Sequence, residues 1–147
     1  MVFKNEAQLK SFLLKKCRLA LLKAQDEVCR IIKQFLYQYY ADYDPIMYER
    51  TYQLLTSLVE SRIVSSGNGY KAEVYFNVDK LNYVTGRQPS GEQVMEVAAK
   101  GGHGASGLKV VSGNTGISIW NDPVAKLNAE AIDILKRMLI SEGIPLR

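Results

Sequence analysis

Two cysteines, one histidine, one tryptophan and four prolines are all of those residue types that the 147-residue chain contains. Each scarcity removes a class of function. Cys17 and Cys29 fall twelve positions apart in one helical pattern, about 18 Å along a helix axis. A disulfide needs Cα atoms within roughly 7 Å, so the pair does not bond within one chain. They read as two small core or interface side chains. One histidine and two distant cysteines form no zinc-ligand set, so neither metal nor cofactor is expected. No apolar run approaches the roughly 18–20 residues that cross a bilayer. Residues 1–10, MVFKNEAQLK, lack the apolar core and cleavage site of a signal peptide. The expectation is a protein made in the cytoplasm and kept there or packed into an assembly, without a membrane partner.

Catalytic signatures are equally scarce. His103 sits in the glycine-rich run GGHGASG, residues 101–107, with no serine or cysteine nucleophile motif beside it. The run matches neither GxxxxGK[ST] nor GxGxxG. A strand-like segment follows it, whereas a phosphate cradle opens a helix. His103 is therefore expected to touch a partner or cap a turn, and the chain is not expected to be an enzyme.

Apolar residues make up 47% and charged residues 23% of the chain, values of an ordinary folded domain. The net charge of +4 is unevenly placed. Residues 1–40 hold eight Lys or Arg against three Asp or Glu, residues 41–60 one against four, and residues 61–147 ten against eight. Residues 6–40 repeat apolar side chains at three- and four-residue intervals, through Leu9, Leu13, Cys17, Ala20, Ala24, Val28, Ile31, Ile32, Phe35 and Tyr39. That spacing predicts one amphipathic helix. Lys15, Arg18, Lys23, Arg30 and Lys33 share the opposite face as candidate DNA-facing cations. At about 50 Å the helix exceeds the width of a small domain, so part of its stripe is expected to meet another subunit.

The remainder predicts an α+β domain, with long N-terminal and C-terminal helices packed on a small antiparallel sheet and two shorter helices. Asp44-Pro45 signals a second helix to residue 59 with Ile46, Leu54, Leu55 and Leu58 inward. Asn68-Gly69 signals a hairpin between residues 62–66 and 70–78. In its second strand Tyr70, Ala72, Val74, Phe76 and Val78 take the dry face. Ser90 and Gln93 form a capping box for a helix over 91–100. Two short β-type runs follow at 108–111 and 115–120, joined through residues 112–114, and a second hairpin or a long excursion loop both fit. Asp122-Pro123 starts the last helix, with Val124, Leu127, Ala131, Ile134, Leu135 and Met138 inward and Gly143 as its stop. The whole chain, 1–147, reads as one domain with segments 1–40, 41–60, 61–120 and 121–147.

Six of the nine tyrosines, Tyr37, Tyr39, Tyr40, Tyr43, Tyr48 and Tyr52, crowd the junction between the first two helices. Tyrosine packs cores and is enriched at interfaces. Tyr39-Tyr40, Tyr43, Pro45, Tyr48, Arg50-Thr51, Leu54 and Ser57 make the pattern YYxxYxPxxYxRTxxLxxS. This pattern resembles minor structural proteins of long-tailed bacteriophages, the tail-completion or head–tail joining proteins of the neck. The long first helix, the Gly102-His103-Gly104 loop and the Trp120–Pro123 start of the last helix are similar in order. Arg50, Thr51, Leu54 and Ser57 stand where broader members carry a threonine-glycine-leucine-arginine-serine type motif, here without the glycine.

The resemblance implies a non-enzymatic virion subunit at the neck of a phage or prophage particle. Such a subunit assembles as a homo-oligomeric ring, often of six copies, between portal-side connector and tail-tube proteins, with DNA passing through. The assembly candidates are Tyr39, Tyr40, Tyr43, Tyr48, Arg50, Thr51, His103 and Trp120. The alternative is a small basic DNA- or RNA-associated module that uses the first helix.

Overall fold

The computed structural model describes residues 2–41, 52–81, 90–100, 105–106, 109–110 and 118–146. The chain is α+β, as its pattern predicts. Helix α1 spans Glu6–Ala41, uninterrupted because no proline or glycine falls within it. Asn5 caps it, its Oδ1 accepting from the Gln8 amide at 2.9 Å. Helix α4, Asn121–Ser141, runs antiparallel along the second half of α1. Ile134, Ala24 and Ile31 are buried between the two helices, with Phe35, Leu127 and Met138 packed around them. A second core gathers Ile32, Leu36, Tyr39, Leu54, Leu81, Ala98 and Ile119 at the C-terminal end of α1.

The second helix is shorter than expected. Among the described residues α2 covers only Gln53–Ser57. Tyr52, immediately before it, has a left-handed backbone (φ 52°), so α2 does not run back through Tyr52, and residues 44–51 lie outside the described residues. Ile46 lies outside the described residues. Leu54 is buried, while Leu55 and Leu58 are half-buried. Residues beyond Ser57 switch to strand β1, Leu58–Glu60, where pairing with a neighbouring strand replaces helical hydrogen bonds.

The expected hairpin exists with its positive φ moved by two residues. Strands β2, Val64–Ser66, and β3, Gly69–Lys71, pair in antiparallel register across Gly67-Asn68. Gly67 takes φ +56°, the pattern of a type II′ turn, which needs glycine at its first central position. The second strand is not continuous to residue 78. Strand β4, Val74–Phe76, pairs instead with β1, Leu58 opposite Phe76 and Glu60 opposite Val74. Residues 61–63 therefore face residues 72–73, one more on one side than the other, which is a β-bulge. The alternation survives the break: Tyr70, Ala72, Val74 and Phe76 are half-buried, whereas Lys71, Glu73 and Tyr75 are exposed. Val78 belongs to a 3-10 turn, Val78–Lys80, started by Asn77 Oδ1 accepting from the Asp79 amide.

Helix α3, Gly91–Ala99, carries the anticipated capping box. The Ser90 amide donates to Gln93 Oε1 at 2.9 Å and the Gln93 amide to Ser90 Oγ at 3.3 Å. A third strand pair joins β5, Ala105–Ser106, to β6, Lys109–Val110. Strand thus begins inside the glycine-rich run, β6 falls within the run expected at 108–111, and residues 112–114 lie outside the described residues.

The strand expected over 115–120 is absent at residues 118–120. Ser118 caps α4 there, its Oγ accepting from the Trp120 and Asn121 amides at 3.2 and 2.8 Å. Asp122 lies within the first turn and accepts from the Ser118 amide at 2.6 Å. Ser118 Oγ also donates to the Ala99 carbonyl, tying the end of α3 to the start of α4 and satisfying a carbonyl that α3 leaves unpaired. Gly143, φ +82°, ends α4 as expected. Its amide donates to the Ile140 carbonyl and that of Ile144 to the Leu139 carbonyl, a Schellman cap. On the α4 face read as inward, Ala131 and Leu135 are exposed.

Candidate assembly surface

No residue of α1 before Ala20 is buried. The reason lies in the length of its neighbour. The C-terminal end of α4 reaches α1 at Lys16 and Lys23, where Glu142 accepts from both ammonium groups at 3.4 and 2.5 Å. Residues 6–15 continue about 15 Å past that point. Leu9, Leu13, Leu19 and Leu22 remain 37–45% exposed. Phe12 is partly covered by Phe3, 5.2 Å between ring centroids, and by Lys16, 5.9 Å above its ring.

The tip of the β2–β3 hairpin approaches this arm without closing on it. Between them lies an open groove of about 440 Å³, lined by Lys10, Lys15, Arg18, Leu14 and Tyr70. None of the three cations has an ion pair among the described residues. The candidate DNA-facing cations therefore separate into two sets. Lys15 and Arg18 have no ion pair among the described residues. Lys23 is held by Glu142, Arg30 by Glu27 at 2.7 and 2.9 Å, and Lys33 is half-buried. The carboxyl groups of Glu142 and Glu27 are held below the ordinary range by hydrogen bonds from Lys23 and Arg30 respectively.

The hairpin is positioned along α1 by a residue that sequence reading missed. Gln25 is 5% exposed, and its Nε2 donates to the Ser61 and Glu73 carbonyls at 2.9 Å each. Those carbonyls sit at the bulge, where the Ser61 amide also reaches the Glu73 carbonyl. The available signal was a glutamine one turn from both Leu21 and Cys29. Cys29 is buried one turn further along. Burial, then the neighbouring Glu60 carboxylate, pushes its thiol up to about 11. Neither cysteine forms a disulfide.

At the other end of α1 the tyrosine cluster splits by role. Tyr39 is buried and meets Tyr40 edge-on at 5.8 Å. Tyr40 meets Tyr52 at 5.0 Å. Tyr37 is 56% and Tyr52 47% exposed. Tyr39 and Tyr40 thus pack the junction, and Tyr37 and Tyr52 face outward. Trp120 is 48% exposed, with its ring 6.5 Å from Phe76. Tyr43, Tyr48, Arg50, Thr51 and His103 lie outside the described residues, as does the helix start at Asp44-Pro45. Among the described residues no cluster of His, Cys, Asp and Glu could hold a metal ion, and no helix is long and apolar enough to cross a membrane.

Set against known proteins, residues 5–141 match the family described as YomN. Neither the curated proteins nor the solved structures give a match.

Proposed function

The chain belongs to the YomN family, whose name is that of a Bacillus phage- or prophage-derived protein, and from that premise we propose that it is a structural subunit of a long-tailed phage particle. Its place is the neck, as a tail-completion or head–tail joining protein that self-associates into a ring between connector and tail tube. It works by contact rather than catalysis, without cofactor, in a virion assembled in the bacterial cytoplasm. The observation that carries the reading is the arm of α1. A phage-related chain spends residues 6–19 on helix in which nothing is buried, with exposed leucines along it and, at Lys10, Lys15 and Arg18, cations that have no ion pair among the described residues. Helix formed beyond its own core costs conformational entropy with no compensating burial, and a neighbouring subunit supplies that burial.

Mass spectrometry of gradient-purified particles tests it. The chain is expected in the particle fraction at a fixed ratio to connector and tail-tube proteins. Its absence from washed particles would remove the reading. A second reading, a nucleic-acid-associated module, draws on Lys10, Lys15 and Arg18 in the groove. It requires salt-sensitive binding of the isolated chain to unrelated duplexes.

A further inference from the structure

We propose that the exposed arm of α1 packs on the outward face of α4 in a second copy of this chain, so that copies join head to tail. The inference rests on the homo-oligomeric reading above and names its interface.

Helix α4 carries two apolar stripes, and only one of them faces its own core. Leu127, Ile134 and Met138 pack toward Ala24 and Ile31 of α1. Ala125, Asn128, Ile132, Leu135 and Leu139 repeat the same intervals of three and four, one position further along. That offset puts them on a second face, about 100° round the helix. There Ile132 is 69% and Leu135 38% exposed, and Leu139 is half-buried. The second stripe is where Leu135, read from sequence as inward, belongs.

The arm presents the counterpart. By helical spacing Leu9 and Leu13 lie on the face of α1 that carries Ala20, Ala24 and Ile31. Helix α4 packs on that face further along and stops at Ser141, with Glu142 held by Lys16 and Lys23. Leu9 and Leu13 stay 39% and 38% exposed. The α1–α4 interface thus runs out of α4 before it runs out of α1. A second helix with aliphatic side chains at three- and four-residue intervals continues it, and the outward stripe of α4 is such a surface. The arm cannot reach that stripe within its own molecule. Ala24 sits in the cluster around Ile134, and Leu9 lies about 22 Å from Ala24 along the same uninterrupted helix.

Charge separates this pairing from two arms meeting each other. Residues 1–18 hold five Lys or Arg against one Asp or Glu, so two arms side by side crowd like charges. Residues 121–141 hold three against three, and the outward stripe itself has no ionisable residue. Two α4 stripes packed together would leave both arms bare, whereas one contact between arm and α4 covers both surfaces. The two surfaces are different patches, so the contact is heterologous. Such contacts close into rings or run on as filaments.

The test follows self-association of the full chain by light scattering after size exclusion, for wild type, Leu9→Glu/Leu13→Glu and Ile132→Glu/Leu135→Glu. Each double variant alone is expected to associate at least about tenfold more weakly, since a carboxylate replaces each aliphatic contact. Mixed in equal amounts, the two variants form a discrete 1:1 pair and nothing larger. Only the intact arm of one and the intact α4 of the other then engage. None of the four side chains is buried, so each variant melts within a few degrees of wild type; should one melt early, the corresponding alanine variant carries the same comparison. Wild-type assembly by the arm variant means that α4 pairs with α4, and wild-type assembly by the α4 variant means that arm pairs with arm; either overturns the proposal. Variants that stay monomeric when mixed overturn it as well. Wild-type assembly by both variants overturns the interface and leaves the homo-oligomeric reading standing. A wild-type chain that is monomeric at every concentration overturns both.

Discussion

Replacing Gln25 by alanine removes the clamp that holds the hairpin against α1. The amide donates two hydrogen bonds of 2.9 Å to the Ser61 and Glu73 carbonyls. Each such bond contributes about 1 kcal/mol net, and a partly buried carbonyl left without a donor costs about 1–3 kcal/mol. The two acceptors are not equivalent: the Glu73 carbonyl keeps the Ser61 amide at 2.8 Å. The Ser61 carbonyl therefore carries most of the penalty. Together with the small void left at a 5% exposed site, the loss comes to about 2–3 kcal/mol. For a domain of this size that is about 6–10 °C in Tm. Urea unfolding should show a lower midpoint at unchanged slope, since the surface exposed on unfolding does not change. Hydrogen exchange should accelerate first at the amides of β1–β4. A loss below about 0.5 kcal/mol would mean that the carbonyls are served by water and that the hairpin is held by packing alone.

Ile134→Ala opens a void between α1 and α4, where the side chain is 1% exposed, and should cost about 2–5 kcal/mol by chemical denaturation; a loss under 1 kcal/mol would contradict the two-helix core. Glu142 has its carboxyl lowered from the ordinary 4.5 by Lys23 and then Lys16. Its contribution is complete above the unfolded value and fades as pH falls below it. Melting of wild type should therefore drop more steeply than that of Glu142→Gln between about pH 5 and 3, and parallel curves would show the ion pairs to be inert. Cys29, with its thiol pushed up to about 11 by burial, should resist a disulfide-exchange reagent at neutral pH until the protein unfolds, while half-buried Cys17 reacts in the native state; equal rates would place Cys29 at the surface.

Local signals were legible wherever one chemical cause decides the structure. The Ser90–Gln93 box, the Gly143 stop and the proline-free run of α1 each depend on neighbours within a few residues, and each is found. Elements decided by distant partners were not legible. Leu58–Glu60 follow directly on a helical turn and become strand because Val74–Phe76 lie beside them. Gln25 looks like a polar interruption of a stripe until the bulge it serves is known. Ser118 reads as part of a β-type run, although its hydroxyl is engaged by α3 and α4 together.

The charge census over residues 1–40 was correct, yet it could not separate free cations from paired ones. Lys23 and Arg30 find carboxylates on α4's end and on the preceding turn. Lys10 joins Lys15 and Arg18 only because Tyr70 arrives from the hairpin. The predicted contrast between the core-facing and free parts of the stripe was likewise half visible. Periodicity gives its face, and only the length of α4 gives the point, Ala20, where burial begins.

Electron microscopy of lysates from a phage or induced prophage deleted for this chain tests the proposed role most directly. Filled heads and finished tails lying separately, rejoined when the wild-type chain is supplied, are the predicted result. Intact, infectious, tailed particles in its absence would contradict it.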